Sequence, residues 1–281
     1  MTRPRGRIWH RLGCLGMLVL ILRVFSVASY ADAWVPSAGN GTFDFSVRQY
    51  DATEVFLPNQ FSSTMLPGSE QRYTMLRVTG EHGLGHRLSI EYDLRAARVE
   101  KIRVHHHKQT TSTAVGLEDQ EIGLNFALMQ RHDFADSLTL NIVAATGSAS
   151  SVPELGVGHT ALEPDFQIGI STADWEMQLK TGSRVFLDSG IAQMRVELDA
   201  GVRLTQRLRL GGVLFYVRSI SVPNPTPLTD VAERYDLLRP GVELKYRITS
   251  RLKPFVEFEQ DVSGQAIHGG RRITVGLTYS Y

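Results

Sequence analysis

The densest set of potential metal ligands in the chain is His105-His106-His107. Imidazole suits zinc, copper and nickel, but a closed site needs fixed geometry and further ligands. No cysteine or close carboxylate pattern supplies them, so the run reads as an exposed loop tract with no metal or cofactor. His82 and His86 flank a turn without a partner that would make them catalytic. A hydrolase would need Ser or Asp beside a His near a strand rim, held by a third group. No Gly-x-Ser-x-Gly occurs, and no histidine falls cleanly within a strand that the pattern defines. These features point away from an enzyme.

The remaining chemistry is electrostatic. Glu91, Asp93, Glu121, Asp165, Glu176, Lys180, Arg195, Glu197, Asp199, Arg203, Arg209, Glu243, Lys245, Arg247, Glu257, Glu259 and Arg272 recur at alternate positions between apolar residues. Enclosed together they would line a lumen of mixed charge, either pairing as ladders that stiffen a wall or forming a path for a solute.

Such alternation needs strands to carry it. Phe43, Phe45 and Val47 oppose Asp44, Ser46 and Arg48; Leu76 and Val78 oppose Arg77; Leu88 to Leu94, Ile122 to Leu128 and Leu138 to Ala144 alternate likewise. The pattern returns at Phe166 to Ile170, Trp175 to Leu179, Met194 to Val202, Leu208 to Tyr216, Val242 to Ile248 and Leu252 to Phe258. The last stretch, Arg272 to Tyr281, puts Ile273, Val275, Leu277, Tyr279 and Tyr281 on one face. About twelve strands result, and their connections alternate between short and long. Residues 51–70, 101–113, 147–164, 223–227 and 262–271 are the long ones. An even strand count with short turns at one end and long loops at the other is the pattern of a single antiparallel transmembrane β-barrel, all-β, with short periplasmic turns and longer extracellular loops. Aromatic residues at the chain end suit the water–bilayer boundary. Tyr279 and Tyr281 also resemble the terminal aromatic signal by which bacterial outer-membrane barrels address the assembly machinery.

The N-terminus fits that destination. Arg3, Arg5, Arg7 and Arg11 precede the apolar run Leu15 to Leu22, and small residues allow cleavage after Ala31 or Ala33. Residues 1–31 are therefore expected to be a signal peptide and residues 32–281 the barrel. Its removal takes away five Arg and no acid, leaving 25 basic against 29 acidic residues, a net charge of −4. Cys14, the single cysteine, leaves with it. Disulfides and thiolate sites are excluded, and no basic tract accompanies stacking aromatics as a nucleic-acid binder would require. The expected surroundings are outer-membrane lipid, the barrel-assembly machinery and an unidentified small molecule.

Three stretches resemble a known family: Ala33-Trp34-Val35-Pro36 with Gly39 and Gly41, Glu81 to Ile90, and Gly116 to Leu124; Val157 to Asp165 is also similar. They are similar to the outer-membrane barrels labelled "MetA-pathway of phenol degradation", although Glu118 stands where that family's Gly-Leu-Gly-Asp segment has its second Gly. The resemblance implies a barrel passing small, often apolar or aromatic solutes. Some members accompany exopolysaccharide and biofilm genes, and no catalytic residue is implied. A channel or transporter is thus expected, with an accessory barrel for polysaccharide export or a non-conducting structural or adhesive barrel as alternatives.

Overall fold

Leu138, Leu140 and Ile142 stand exposed on one side of their strand, while Ser137, Thr139 and Asn141 are buried on the other. A soluble protein would invert this, because burial of apolar surface drives its folding. The same inversion repeats around the molecule. The computed structural model describes residues 33–56, 63–65, 69–105, 108–148, 150–221, 236–265 and 267–281. Its strands are β1 (Gly41–Phe56), β2 (Ser63–Met65), β3 (Ser69–Gly83), β4 (Leu88–His105), β5 (Lys108–Leu117), β6 (Gln120–Gln130), β7 (Phe134–Ala144) and β8 (Ala161–Ser171). They continue with β9 (Trp175–Phe186), β10 (Ala192–Arg203), β11 (Leu208–Ser221), β12 (Asp236–Tyr246), β13 (Leu252–Gln260), β14 (Ser263–Gln265) and β15 (Ile267–Ser280).

Twelve of these close an antiparallel barrel, each beside its sequence neighbour, with β11 joined to β12 and β15 joined to β1. Closure matters because an open edge would leave backbone groups unpaired in hydrocarbon. At the β1–β15 seam Phe43, Phe45 and Val47 lie opposite Tyr279, Leu277 and Val275, so the exterior faces of the first and last strands coincide. Gly41 and Tyr281 exchange backbone hydrogen bonds there, at 3.2 and 3.0 Å. The Tyr281 ring stacks on His82 with centroids 5.9 Å apart, and its hydroxyl lies 2.9 Å from His82 Nδ1.

The second strand has the expected phase: Leu76 is exposed and Arg77 points inward, bonded to Asp93. Several expected loops are shorter than the sequence implied. Residues 101–105 and 108–113 belong to strands that pair, β4 running on beside β5 from Ala96 opposite Leu117 to His105 opposite Lys108. Thr110, Thr111 and Thr113 there favour an extended backbone, and their polar side chains conceal the strand from a search for apolar alternation. His106 and His107 lie outside the described residues, as do residues 223–227 and residues 1–31, the expected signal peptide. Residues 51–56 extend β1, and β2 pairs back onto it. β8 begins at Ala161, inside the expected 147–164 loop, and β14 and the start of β15 occupy the expected 262–271 loop. His82 belongs to β3 rather than to a turn, and His268 lies within β15.

An apolar belt of this extent is stable only against lipid. Leu140→Arg, near the middle of β7, is expected to cost about 2–4 kcal/mol of barrel stability relative to Leu140→Ala. Urea unfolding in lipid vesicles measures it; equal stability of the two variants would place Leu140 away from hydrocarbon.

Candidate functional site

The inward faces carry the charges; the register sets several like charges directly opposite, as Arg77 with Arg95 and Asp93 with Glu121, and opposite signs meet on the diagonals. An unbroken chain of ion pairs crosses half the wall. Arg77 meets Asp93 at 2.7 Å; Asp93 also meets Arg95, which reaches Glu121 at 3.0 Å. Glu121 meets Arg184 at 2.7 Å, Arg184 meets Glu163, and Arg195 joins Glu163 at 2.7 Å to Glu197 at 3.2 Å. Beside this girdle Lys180 lies 3.4 Å from Asp165. Nearer the short turns, Arg209 is shared by Glu176 and Glu243, each at 2.6 Å, and by Asp199. Arg203 reaches Glu176 at 3.5 Å, and Lys245 reaches Glu243 at 3.3 Å. Nearer the long loops, Arg239 pairs with Asp261 at 2.6 Å and Arg272 with Glu259 at 3.1 Å. Asp261 also accepts from the Tyr50 hydroxyl at 2.8 Å.

Of the charges singled out by alternation, Glu91 and Glu257 also face the interior cavities, at different heights. Arg247 differs: β12 ends at Tyr246, and Arg247 donates to the Gln206 carbonyl in the neighbouring short turn. Asp44, Arg48, Arg77, Glu81, Arg95, Glu118, Glu163, Arg184, Arg239 and Asp261 are interior charges that were not singled out. Arg48 and Arg77 already stood in the polar phase of their strands. Glu163, Arg184 and Arg239 lie where β8, β9 and β12 outrun their apolar pattern, beside Pro164, Ser183 and Pro240, so only the pairing exposes them.

Among the described residues the ion pairs border two chambers along the barrel. One of about 310 Å³ lies toward the short turns and one of about 480 Å³ toward the long loops. Arg77, Arg95, Lys180, Arg195 and Glu197 line both and form a shared collar. Both ends are narrowed by the chain itself. At the short-turn end residues 33–40 fold inward before β1 begins. Ala33, Trp34 and Val35 are buried, and Trp34 packs with Ala135. The indole donates to the Arg131 carbonyl at 2.9 Å, and the Gln130 amide donates to the Val35 carbonyl at 3.0 Å. Gly169 makes room: a Cβ there would stand 2.2 Å from the indole Cζ3.

At the other end residues 145–148 and 150–160 fold over the wall formed by β3, β4 and β5. Leu155 is buried against Ala97, Val99 and Ala114. The Asp119 carboxylate, in the break between β5 and β6, accepts from the backbone N–H groups of Gly147 at 3.0 Å, Val157 at 2.6 Å and Gly158 at 3.1 Å. Gly156 and Gly158 hold positive φ of 77° and 71°, which lets successive amides aim at one carboxylate. His159 bonds Asp188, and that contact holds the exposed Asp188 carboxyl below its usual value. Asp119→Ala is expected to release the loop, since each hydrogen bond to a charged group contributes about 1.5–3 kcal/mol. Hydrogen exchange at Val157 and Gly158 measures this; unchanged protection would show that Leu155 alone holds the segment. Among the described residues no three of His, Cys, Asp and Glu converge as a metal site.

No protein-family model matches the sequence, and no curated protein matches it. Solved structures do share the architecture. An outer membrane channel from Pseudomonas putida F1 is 12% identical with a TM-score of 0.66, over 90% of this chain and 100% of that one. The NanC porin is 11% identical with a TM-score of 0.52, over 84% of this chain and 98% of that one. At these identities the likeness concerns the fold, which is that of an outer-membrane β-barrel.

Proposed function

We propose that the protein is a bacterial outer-membrane channel for a small solute, with an interior narrowed at both ends by its own chain. The observation that carries this is the pair of chambers joined by a shared collar, since a barrel serving only as a structural wall needs no cavity of about 480 Å³. The names of the two similar structures, a channel and a porin, support it. In this reading residues 1–31 direct export and are cleaved after Ala31 or Ala33. The short turns face the periplasm, Tyr279 and Tyr281 address the assembly machinery, and the interior charges set which solutes pass. The resemblance to the phenol-degradation barrels supports a small organic solute.

Purified protein in planar bilayers is expected to give unitary currents, and liposomes containing it are expected to take up small solutes. Absence of both would remove the channel and favour a structural barrel displaying its loops. The ion-paired girdle is the specific observation on that side, because charges that satisfy one another stiffen a wall without needing a solute. Loss of surface polysaccharide in a deletion strain, with solute uptake unchanged, would favour a role in export.

A further inference from the structure

Most interior arginines are matched by carboxylates. Arg48, in the middle of β1, is different. Its Nε donates to Thr274 Oγ1 at 3.2 Å, and among the described residues it forms no ion pair. The charges that act on it most are the cations Arg272 and Arg77 and the carboxylates Glu259 and Glu257. Glu259 is held by Arg272 at 3.1 Å, and neither carboxylate lies within ion-pair distance of Arg48. The Arg48 side chain borders the larger chamber, which seven cations and five carboxylates line. The smaller chamber has the opposite balance, four cations against seven carboxylates.

The larger chamber also has apolar wall. Tyr73, Met75, Val213 and Phe215 lie on its inward-facing positions. Phe215 carries the guanidinium of Arg195 at 5.4 Å and that of Arg239 at 5.6 Å from its ring centroid. A guanidinium whose two terminal amino groups are both to spare binds a carboxylate as a fork, and a partly dry setting strengthens that contact. The adjoining apolar wall favours a solute with a compact hydrocarbon body.

We infer that the larger chamber is a binding site for a small organic carboxylate with an apolar body, whose carboxylate engages Arg48. This rests on the channel reading for its biological use, since the site lies on the path that a solute would take. Occupancy itself can be measured without conduction.

The test is calorimetric titration of the detergent-solubilised protein with benzoate and with benzamide, its neutral counterpart of nearly equal shape. Benzoate is expected to bind saturably and more tightly than benzamide. Arg48→Gln is expected to weaken benzoate by about tenfold, the worth of one charge-assisted contact, and to leave benzamide unchanged. Arg48→Lys keeps the charge without the fork and should fall between. Equal binding of the two probes, no saturable benzoate binding, or benzoate affinity indifferent to Arg48→Gln would each overturn the site. If the glutamine variant fails to fold, judged by its mobility in unboiled gels, the comparison of probes on the unaltered protein decides. Benzoate binding without unitary current or liposome uptake would leave the site standing and remove the channel, whereas current without benzoate binding would do the reverse.

Discussion

Replacing Trp34 by alanine is expected to open the short-turn end and raise the unitary conductance. The indole is the anchor of residues 33–40: it is buried, it donates to the Arg131 carbonyl at 2.9 Å, and it fills the space that Gly169 leaves on the inner wall. Truncating a buried Trp typically costs about 3–5 kcal/mol. That is enough to turn a segment docked almost all the time into one undocked for a measurable fraction of it. Gly169→Val tests the same contact from the wall, because its Cβ would stand where the ring now lies. The strands should tolerate both changes, since neither alters the outer belt. Larger or longer openings are expected in each variant, with gel mobility unchanged. Currents identical to those of the parent in both would mean that the segment does not limit passage.

Arg209→Met is expected to give the largest loss of stability among single interior substitutions. One guanidinium lies between three carboxylates, those of Glu176, Glu243 and Asp199, and the first two are buried. Without it, Arg203 at 3.5 Å from Glu176 and Lys245 at 3.3 Å from Glu243 remain as compensation, and Asp199 keeps no ion pair among the described residues. Breaking a buried pair in this way costs about 3–5 kcal/mol, most of it from the charges left behind. The sign with pH follows from that cause. Acid protonates the abandoned carboxylates and removes their repulsion, so the deficit relative to the parent should shrink as pH falls from neutral. Adding Glu176→Gln and Glu243→Gln should restore stability at neutral pH. Urea midpoints across pH for parent, single and triple variants measure this. A deficit that is the same at every pH would assign the loss to packing instead.

The arrangement as a whole explains why the interior tolerates so much charge. Neighbouring strands in an antiparallel barrel place inward residues about 5 Å apart, so a carboxylate on one strand meets a guanidinium on the next. The girdle from Arg77 to Glu197 relies on diagonal neighbours, since the register sets Arg77 opposite Arg95 and Asp93 opposite Glu121, and it adds longer reaches from β6 to β9 and from β8 to β10. Arg48 departs from it, and the departure coincides with the larger chamber and its apolar wall.

Alternation determined a strand number of about twelve and the side on which each residue of a recognised strand would face, while the even count, the short and long connections, the N-terminal segment and the terminal aromatics together pointed to a closed barrel. A side-chain period of two leaves no third direction, which is why Leu76 and Arg77, or Val256 and Glu257, fall where their types require. The chain could not reveal where strands end once they leave lipid. Beyond the belt both faces meet water or protein, the apolar signal disappears, and β4 and β5 run on through polar residues such as Lys101 and Thr111.

Partnership was likewise decided only by the tertiary structure. The pairing of Arg184 with Glu121 spans 63 positions, and the seat of Trp34 against the Arg131 carbonyl spans 97. No local pattern encodes such contacts, because they arise when barrel closure brings distant strands to one height. Sequence settled which face of the wall meets which solvent, a property each residue carries with it. Closure settled which charges satisfy one another and which, like Arg48, forms no ion pair among the described residues, because that depends on the register of every strand at once.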